Sequence, residues 1–276
     1  MADVFDRETE VVVGDLDVSR LHCEFSIVKD MERDPNQSAV TIYNLTESNR
    51  ARLAQYDADK GPDRVIPVRV SAGYRSEGGA SDIFLGNMRR TISQKTGPTW
   101  VTQVLSGDGE TKLRIARINR KFALGSTPYD VVSGLLVALG LGRGNLDDVR
   151  SKLSNGGEES FTLKGPVGYH LDNWTKPFGI TWSIQGNRPH FELTRQEGAP
   201  VQVVRLTPET GLIGSPSIES NGDVNCTAQI RPGLDIGEVF SLESDTVSGS
   251  FRIRRIAFMG STRGGRYECK ITGNPY

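Results

Sequence analysis

The residues with the greatest chemical reactivity are few, and they lie far apart in the sequence. The histidines are His22, His170 and His190, and each stands in a different segment. None is close to a cysteine or to a second histidine, as a local metal-binding or nucleophile–base motif would require. We therefore interpret all three as surface or core imidazoles, and we predict neither a catalytic residue nor a metal ligand among them.

Paired carboxylates are the next candidates, because glycoside hydrolysis needs two carboxyl groups across a cleft. In this chain the pairs are expected in a turn, at a helix start and in a loop. No dense run of aromatic residues accompanies any of them, as a sugar-binding groove would favour. The pairs are Asp15 with Asp17, Asp147 with Asp148, and Glu158 with Glu159.

Glycine-rich and nucleophile motifs give equally little support for catalysis. Gly140, Gly142 and Gly144 are spaced as in a dinucleotide-binding loop, but they follow a predicted helix instead of joining a strand to a helix. The sequence also lacks the phosphate-binding loop, the Gly-x-Ser-x-Gly elbow and the His-Glu-x-x-His motif. We predict that the chain is not an enzyme and that it binds no cofactor.

Cysteine usage and composition describe an intracellular, globular protein. Cys23, Cys226 and Cys269 are widely separated and odd in number, so we expect small buried side chains, with an intersubunit disulfide as the alternative. The 33 basic residues balance 34 acidic ones, which argues against a dedicated nucleic-acid binder. The start of the chain does not resemble a secretion signal, and no apolar run is long enough to span a bilayer. We expect synthesis and folding in the cytoplasm and no membrane partner.

Arginine clusters are the candidate interface residues. Arginine favours bidentate ion pairs at protein interfaces, so a contact with an acidic partner subunit, or a solvated surface, is preferred over binding of DNA phosphates. Strict strand alternation predicts that Arg252 and Arg254 share one face and that Arg255 lies on the other. The candidate interface residues are Arg89, Arg90, Arg114, Arg117, Arg252, Arg254 and Arg255.

The elements that must position these residues fall into three predicted domains. Residues 1–122 and 197–276 alternate apolar and polar side chains between glycine-rich turns, which is typical of β-barrels. Residues 123–196 change to helical periodicity: Thr127, Pro128 and Asp130 form a capping pattern, and a second helix is expected to start at Asn145. The fold class is therefore mainly β, with a small α/β module inserted between two barrels.

Short structural motifs in both predicted barrels resemble those of a known family. In the first, Ile42-Tyr43-Asn44-Leu45-Thr46 precedes a helix that should end by Gly61, and Ala72-Gly73-Tyr74 is followed by Ile83-Phe84-Leu85-Gly86. In the second, Gly211-Leu212-Ile213-Gly214-Ser215-Pro216 precedes Arg231-Pro232-Gly233. The chain resembles the baseplate hub proteins of phage tails and related contractile machines, which are built from tail-tube-like β-barrels.

The resemblance implies a structural role in a virion. It predicts a homotrimer whose six barrels form a pseudo-six-fold ring that joins the tail tube to the central spike. The implied partners are the tube or tube-initiator protein, the spike, other baseplate subunits and the tape-measure protein, with DNA passing through the lumen without specific contact. Two alternatives stay open: a tail-associated cell-wall hydrolase and a non-viral interaction module.

Overall fold

The computed structural model describes residues 6–31, 36–59, 66–108, 113, 115–157, 159–193 and 203–276, with backbone only for 57–59. The chain divides into two compact units. Unit 1 comprises residues 1–30, 36–107 and 199–276, and unit 2 comprises residues 31–35 and 108–198. The mainly β fold class with an α/β insertion is confirmed. The domain limits at 122 and 196 stay predictions.

Unit 1 is built on one 13-stranded sheet with the order β13-β14-β17-β16-β3-β4-β7-β6-β5-β1-β2. Strand β15 pairs with β16, and β12 pairs in parallel with β15. The strands are β1 (Arg7–Val13), β2 (Leu16–Asp17), β3 (Cys23–Asp30), β4 (Gln37–Tyr43), β5 (Pro67–Tyr74), β6 (Gly79–Thr96), β7 (Thr99–Gly107), β12 (Val204–Leu206), β13 (Leu212–Ile218), β14 (Val224–Gln229), β15 (Val239–Glu243), β16 (Ser248–Ser261) and β17 (Tyr267–Pro275).

The sequence alternation explains which face of each strand is buried. In β3, Cys23, Phe25 and Ile27 are buried, whereas Glu24 and Ser26 between them are exposed. Successive side chains of a strand point to opposite faces, so this pattern places one face of the sheet in the core and the other outside. The same alternation recurs in β4 and β14.

We call β1–β7 the first half of the sheet and β12–β17 the second half. Strand β16 lies in the second half and also pairs with β3 of the first half. Its first part, up to Arg252, pairs with β15, and its second part, from Arg255, pairs with β3. The register against β17 shifts between Ile253 and Arg255, so a β-bulge lies where the partner changes. A bulge bends the strand and increases its twist, so β16 changes direction where it changes partner.

Side chains close the first half of the sheet: they link β1 and β5 to β17, with which neither strand is paired. The Tyr267 hydroxyl donates to the Glu8 carbonyl oxygen (2.7 Å) and accepts from the Gly73 backbone N–H (3.0 Å). It also lies 2.8 Å from Thr9 Oγ1, and the Arg7 guanidinium covers its ring at 4.8 Å. Tyr267 therefore ties β17 to β1 and β5, strands that lie several positions away along the sheet order.

Helix α1 (Glu47–Asp59) follows β4, as predicted, and the residues at its expected end, 60–65, lie outside the described ones. Two side chains of α1 anchor it to the turn between β1 and β2. Arg52 forms an ion pair with Asp15, and the Tyr56 hydroxyl donates to the same carboxylate at 2.5 Å. The Tyr56 hydrogen bond lowers the pKa of Asp15.

Unit 2 packs helices against two antiparallel two-stranded sheets. Its elements are β8 (Arg117–Phe122), α2 (Pro128–Leu139), a 3₁₀ segment (Leu146–Leu153), β9 (Phe161–Pro166), α3 (Val167–Thr175), β10 (Ile180–Gln185) and β11 (Arg188–Leu193). Strand β8 pairs with β9, and β10 pairs with β11. The apolar stripe predicted for α2 is confirmed, because Val131, Leu135 and Leu139 are all buried in the core of this unit.

Caps and a side-chain clamp fix the ends of these elements. The capping box is confirmed: Thr127 Oγ1 accepts from the Asp130 N–H, and the Asp130 carboxylate accepts from the Thr127 N–H at 2.9 Å. The second helix is a 3₁₀ segment, and Asn145 does not cap it. The Asn145 amide instead bonds both backbone groups of Phe191, at 2.7 and 2.9 Å, which ties this segment to β11.

Candidate interface

The arginine cluster of β16 lies at the β-bulge. Arg254 and Arg255 are both exposed, whereas Ile253 and Ile256 on either side are buried. The prediction that Arg255 lies on the opposite face from Arg254 is therefore wrong. The bulge adds one residue to the strand, so both arginine side chains face outward. Arg255 forms an ion pair with Asp30 at 3.4 Å, and Arg254 has no ion-pair partner among the described residues.

A second bulge holds the other arginine pair. The register of β6 against β7 shifts between Met88 and Arg90, so Arg89 is the extra residue. The Arg89 guanidinium lies over Gly107, where a Cβ atom would come within 2.3 Å of it. Glycine at this position of β7 therefore leaves the space that the Arg89 side chain occupies. Arg90 lies opposite Leu105 in the register of β6 against β7, and its side chain is exposed on the solvent-facing side of the sheet.

The sheet places these arginines beside half-exposed apolar residues. The outward-facing side chains of β3, β4 and β7 include the half-exposed Val28, Ala39 and Leu105, and polar or acidic residues lie among them, such as Glu24, Ser26, Asp30 and Gln103. Four strand spacings separate β6 from β16, or about 19 Å. We call this surface the outer sheet face; its apolar residues are Val28, Ala39, Leu105, Ala257 and Met259, and its arginines are Arg89, Arg90, Arg254 and Arg255.

The remaining candidate arginines do not join this surface. The Arg252 guanidinium stacks over the Tyr276 ring at 4.9 Å, near the end of β17. Arg117 lies in unit 2 at the start of β8, where it is exposed and its guanidinium donates to the Ala116 carbonyl oxygen at 3.2 Å. Arg114 lies outside the described residues. The seven predicted residues are thus divided among at least two surfaces.

One cluster of polar side chains brings a serine, a histidine and a carboxylate together. His22 Nε2 lies 3.2 Å from Ser261 Oγ and 3.8 Å from Glu24 Oε1, and the imidazole stacks on Tyr43 at 4.5 Å. A catalytic triad needs the acid on the ring nitrogen opposite the one that faces the nucleophile. Here the same nitrogen faces both groups, so the arrangement does not provide a relay.

The other chemically interesting residues are engaged in local structure. His170 Nε2 lies 3.0 Å from the Lys164 carbonyl oxygen, and the Tyr129 hydroxyl donates to Asp147 at 2.5 Å. The three cysteines are free and buried, as predicted, and burial raises the pKa of Cys23 and of Cys226 to about 12. These thiols stay protonated at neutral pH and are poor nucleophiles.

Within the described ranges, no group of three His, Cys, Asp or Glu side chains could hold a metal ion. No helix within these ranges has both the length and the apolar character needed to cross a membrane.

Known proteins match this chain in three-dimensional structure, whereas the sequence comparisons find no match. No family model and no curated protein sequence matches the chain. The 43 kDa tail protein of prophage MuSo2 from Shewanella oneidensis matches with a TM-score of 0.66 at 10% identity, over 97% of this chain and 96% of that one. A tail protein from Neisseria meningitidis MC58 matches with a TM-score of 0.65 at 10% identity over the same shares.

A secretion-system protein shares the fold as well. The E. coli c3393 protein is a component of the type VI secretion system with structural similarity to the T4 bacteriophage tail proteins gp27 and gp5. It matches with a TM-score of 0.59 at 12% identity, over 98% of this chain and 74% of that one. The resemblance read from the sequence is thus confirmed at the level of the fold, which the chain shares with these phage tail proteins and with this type VI secretion component.

Proposed function

We propose that this chain is a structural protein of a phage tail, or of a related tail-like machine, and that it acts as the baseplate hub. The observation that carries the proposal is the extent of the shared fold, which covers 97% of this chain and 96% of each of two tail proteins. A match over nearly the whole of both chains leaves little room for an additional domain with a separate activity within these 276 residues.

The two-part sheet of unit 1 supports a trimeric ring. Each chain contributes two halves of one sheet, joined where β16 pairs with β3, so three chains would present six halves. The resemblance to hub proteins implies that such a ring would match a six-fold tail tube on one side and a three-fold spike on the other. The hub would contact the tube or tube-initiator protein, the spike and neighbouring baseplate subunits, and its location would be the virion tail.

The outer sheet face supports a subunit contact within this arrangement. Protein interfaces combine an apolar centre with a polar rim, and arginine is enriched in them. Leu105 and Met259 are half-exposed within the apolar centre, while Arg90 and Arg254 lie at its two sides. An acidic surface on a neighbouring subunit would pair with these arginines and cover the apolar centre.

We also propose that the lumen of the ring passes the tape-measure protein and DNA without specific contacts. A conduit for a polyanion should avoid a continuous basic lining, because each phosphate contact adds affinity that slows passage. The nearly balanced charge of the chain, 33 basic against 34 acidic residues, fits this requirement.

The test is an assembly measurement with charge reversal. We would co-express the chain with the spike protein from the same tail gene cluster and measure the mass of the complex by light scattering. We expect three copies of the chain per complex and a ring in negative-stain images. The variant Arg90→Glu with Arg254→Glu should lose this assembly while keeping wild-type thermal stability.

The matched control reverses two exposed cations of unit 2, Arg143→Glu and Lys152→Glu, which changes the net charge equally. It should assemble as the wild type does. A complex that holds a single copy of the chain would contradict the trimer. Assembly that survives reversal of Arg90 and Arg254 would contradict the contact at the outer sheet face.

The hydrolase alternative lacks a supporting constellation among the described residues. The serine–histidine–carboxylate group around His22 has the wrong ring-nitrogen arrangement for a relay. We therefore propose a non-enzymatic role, and zymography on purified cell wall should show no clearing by the purified chain.

A further inference from the structure

The two halves of the sheet repeat the same strand order. In the first half the neighbouring strands are β3, β4, β7, β6 and β5, and in the second half they are β13, β14, β17, β16 and β15. Every neighbouring pair in both series is antiparallel. The chain also visits the five strands of each series in the same order. Strands β3 and β13 therefore hold equivalent positions, and so do β6 and β16.

A β-bulge at the same position aligns the two halves residue by residue. Both β6 and β16 shift register at an arginine pair, so Arg90 corresponds to Arg255. The residue that precedes each arginine pair begins a row across four strands. In the first half this row is Met88, Ser106, Ser38 and Ile27, and in the second half it is Ile253, Gly273, Val224 and Ile218. Ile218 of β13 is thus the counterpart of Ile27 of β3.

The equivalent strands differ in what is paired with them. Beyond its bulge, β16 pairs with β3 over residues 255–261. The equivalent residues of β6, 90–96, pair with β7 on one side, and β5 reaches along the other side only as far as Asn87. No described strand pairs with that side of residues 90–96, and among the described strands β13 pairs only with β14. The chain therefore completes one of two equivalent junctions internally and leaves both strands of the other junction open.

Side-chain exposure differs in the same way between the two junctions. Ile27 lies at the internal junction and is fully buried. Ile218 lies opposite the buried Val224 and so shares its face of the sheet, yet Ile218 is 55% exposed. On β6, every residue from 92 to 96 is exposed. An apolar side chain that is exposed where its counterpart is buried indicates an edge that another strand covers, and an unpaired edge is a ready template for such pairing.

We propose that β13 of one chain pairs antiparallel with residues 90–96 of β6 in a second copy, and that this contact repeats the internal junction of β16 with β3. The inference rests on the proposed trimeric ring and specifies its subunit contact. A contact between two different edges is heterologous, and it forms a closed ring when the rotation between copies closes. Three chains would then hold three internal junctions and three equivalent junctions between copies.

The internal junction supplies the register of the proposed one. The observed pairs and their proposed equivalents are Phe258–Ile27 with Ser93–Ile218, and Met259–Ser26 with Gln94–Ser217. Strand β13 is irregular between Ile213 and Ser217, so regular pairing begins at Ser217 and includes Ile218. In this register a strand of the second copy covers Ile218, as β16 covers Ile27.

Charge is also complementary at the proposed junction. At the internal junction, Arg255 forms an ion pair with Asp30 at 3.4 Å. Arg90 is the counterpart of Arg255, and the exposed Glu219 is the first residue after β13. Continuing the register makes Glu219 the diagonal neighbour of Arg90, at about 7–8 Å, which two long side chains can bridge. The second copy therefore offers a carboxylate where the internal junction has one.

The test joins the two edges by a disulfide in the assembled complex. The chain with Gln94→Cys and Ser217→Cys is co-expressed with the spike protein, oxidised, and separated on a denaturing gel without reductant. Directly opposite residues of antiparallel strands have Cα atoms about 4.5–5.5 Å apart, which a disulfide can span. Six strands separate β6 from β13 in the sheet order of one chain, so the bond has to link two chains. The matched control combines Gln94→Cys with Lys270→Cys, at an exposed residue of β17.

We expect the first variant to give bands of two and three linked chains that disappear with reductant, and the control to give single chains. Ile218→Asp should lose the three-copy complex and keep wild-type thermal stability, whereas Val203→Asp, at another exposed residue of unit 1, should keep both. A three-copy wild-type complex without linked chains in the first variant, or normal assembly of Ile218→Asp, would overturn this junction and leave the trimer standing. A single copy in the wild-type complex would overturn both.

Discussion

Replacing Tyr267 by phenylalanine tests whether side chains close the first half of the sheet. The change keeps the ring, its T-shaped contact with Tyr74 at 5.3 Å and its packing, and removes only the hydroxyl. That hydroxyl is bonded to the Glu8 carbonyl oxygen, the Gly73 N–H and Thr9 Oγ1. The substitution therefore isolates the polar link between β17 and the β1–β5 pair.

The magnitude follows from the groups that lose a partner. A buried donor or acceptor left without its hydrogen bond costs about 1–3 kcal/mol, and Tyr267 is 3% exposed. With the Gly73 N–H and the Glu8 carbonyl both affected, we expect the free energy of unfolding to fall by about 2–3 kcal/mol. The matched control is Tyr74→Phe, whose hydroxyl donates to the Tyr267 carbonyl oxygen over a long 3.3 Å and bonds the Arg7 side chain, and it should cost less than Tyr267→Phe.

The assay is urea unfolding followed by far-ultraviolet circular dichroism, which reports on the strands, at pH 7 and at alkaline pH. Burial raises the pKa of Tyr267 above its ordinary value of 10.0. The neutral phenol is therefore favoured in the folded state, and its contribution is complete below pH 10 and lost as the pH rises further. The stability difference between wild type and Tyr267→Phe should shrink above pH 10. Equal stability of the two proteins at pH 7 would refute the closure argument.

Three further perturbations test the cores and a buried charge. Leu135→Asp places a charge in the core of unit 2 and should cost about 3 kcal/mol or more, whereas Val137→Asp, 73% exposed on the same helix, should stay within about 0.5 kcal/mol in thermal and urea unfolding. Asp235→Ala removes the ion-pair partner of Lys29, whose side chain is 6% exposed, and should lower the free energy of unfolding by about 2 kcal/mol. Adding Lys29→Met should recover much of this loss, because the double variant no longer buries an unpaired charge. A thiol reagent should label none of the three cysteines in the folded protein and all of them in denaturant; rapid labelling of the folded protein would show that the thiols are accessible.

Local patterns predicted the elements that depend on neighbouring residues. The capping box at Thr127 is encoded within four residues, and the structure has it. The alternation of β3 was equally readable, because strand periodicity is a local signal.

Features that depend on distant pairing were not predictable in the same way. Sequence reasoning missed β9, whose residues alternate between half-exposed and exposed and therefore carry no buried stripe. It also missed that β6 runs for 18 residues, because its outer end is exposed on both faces. The link from Tyr267 to Gly73 spans 194 residues and leaves no local trace.

The two bulges of unit 1 that hold arginine pairs have a common physical reason. Arg89 with Arg90, and Arg254 with Arg255, are adjacent arginines within long strands whose inner faces are buried. Strict alternation would force one arginine of each pair into the core, where an unpaired charge is strongly destabilising. A bulge places an extra residue in the strand, so both side chains of each pair can face outward. In β16 the bulge is also the point where the strand changes partners from β15 to β3.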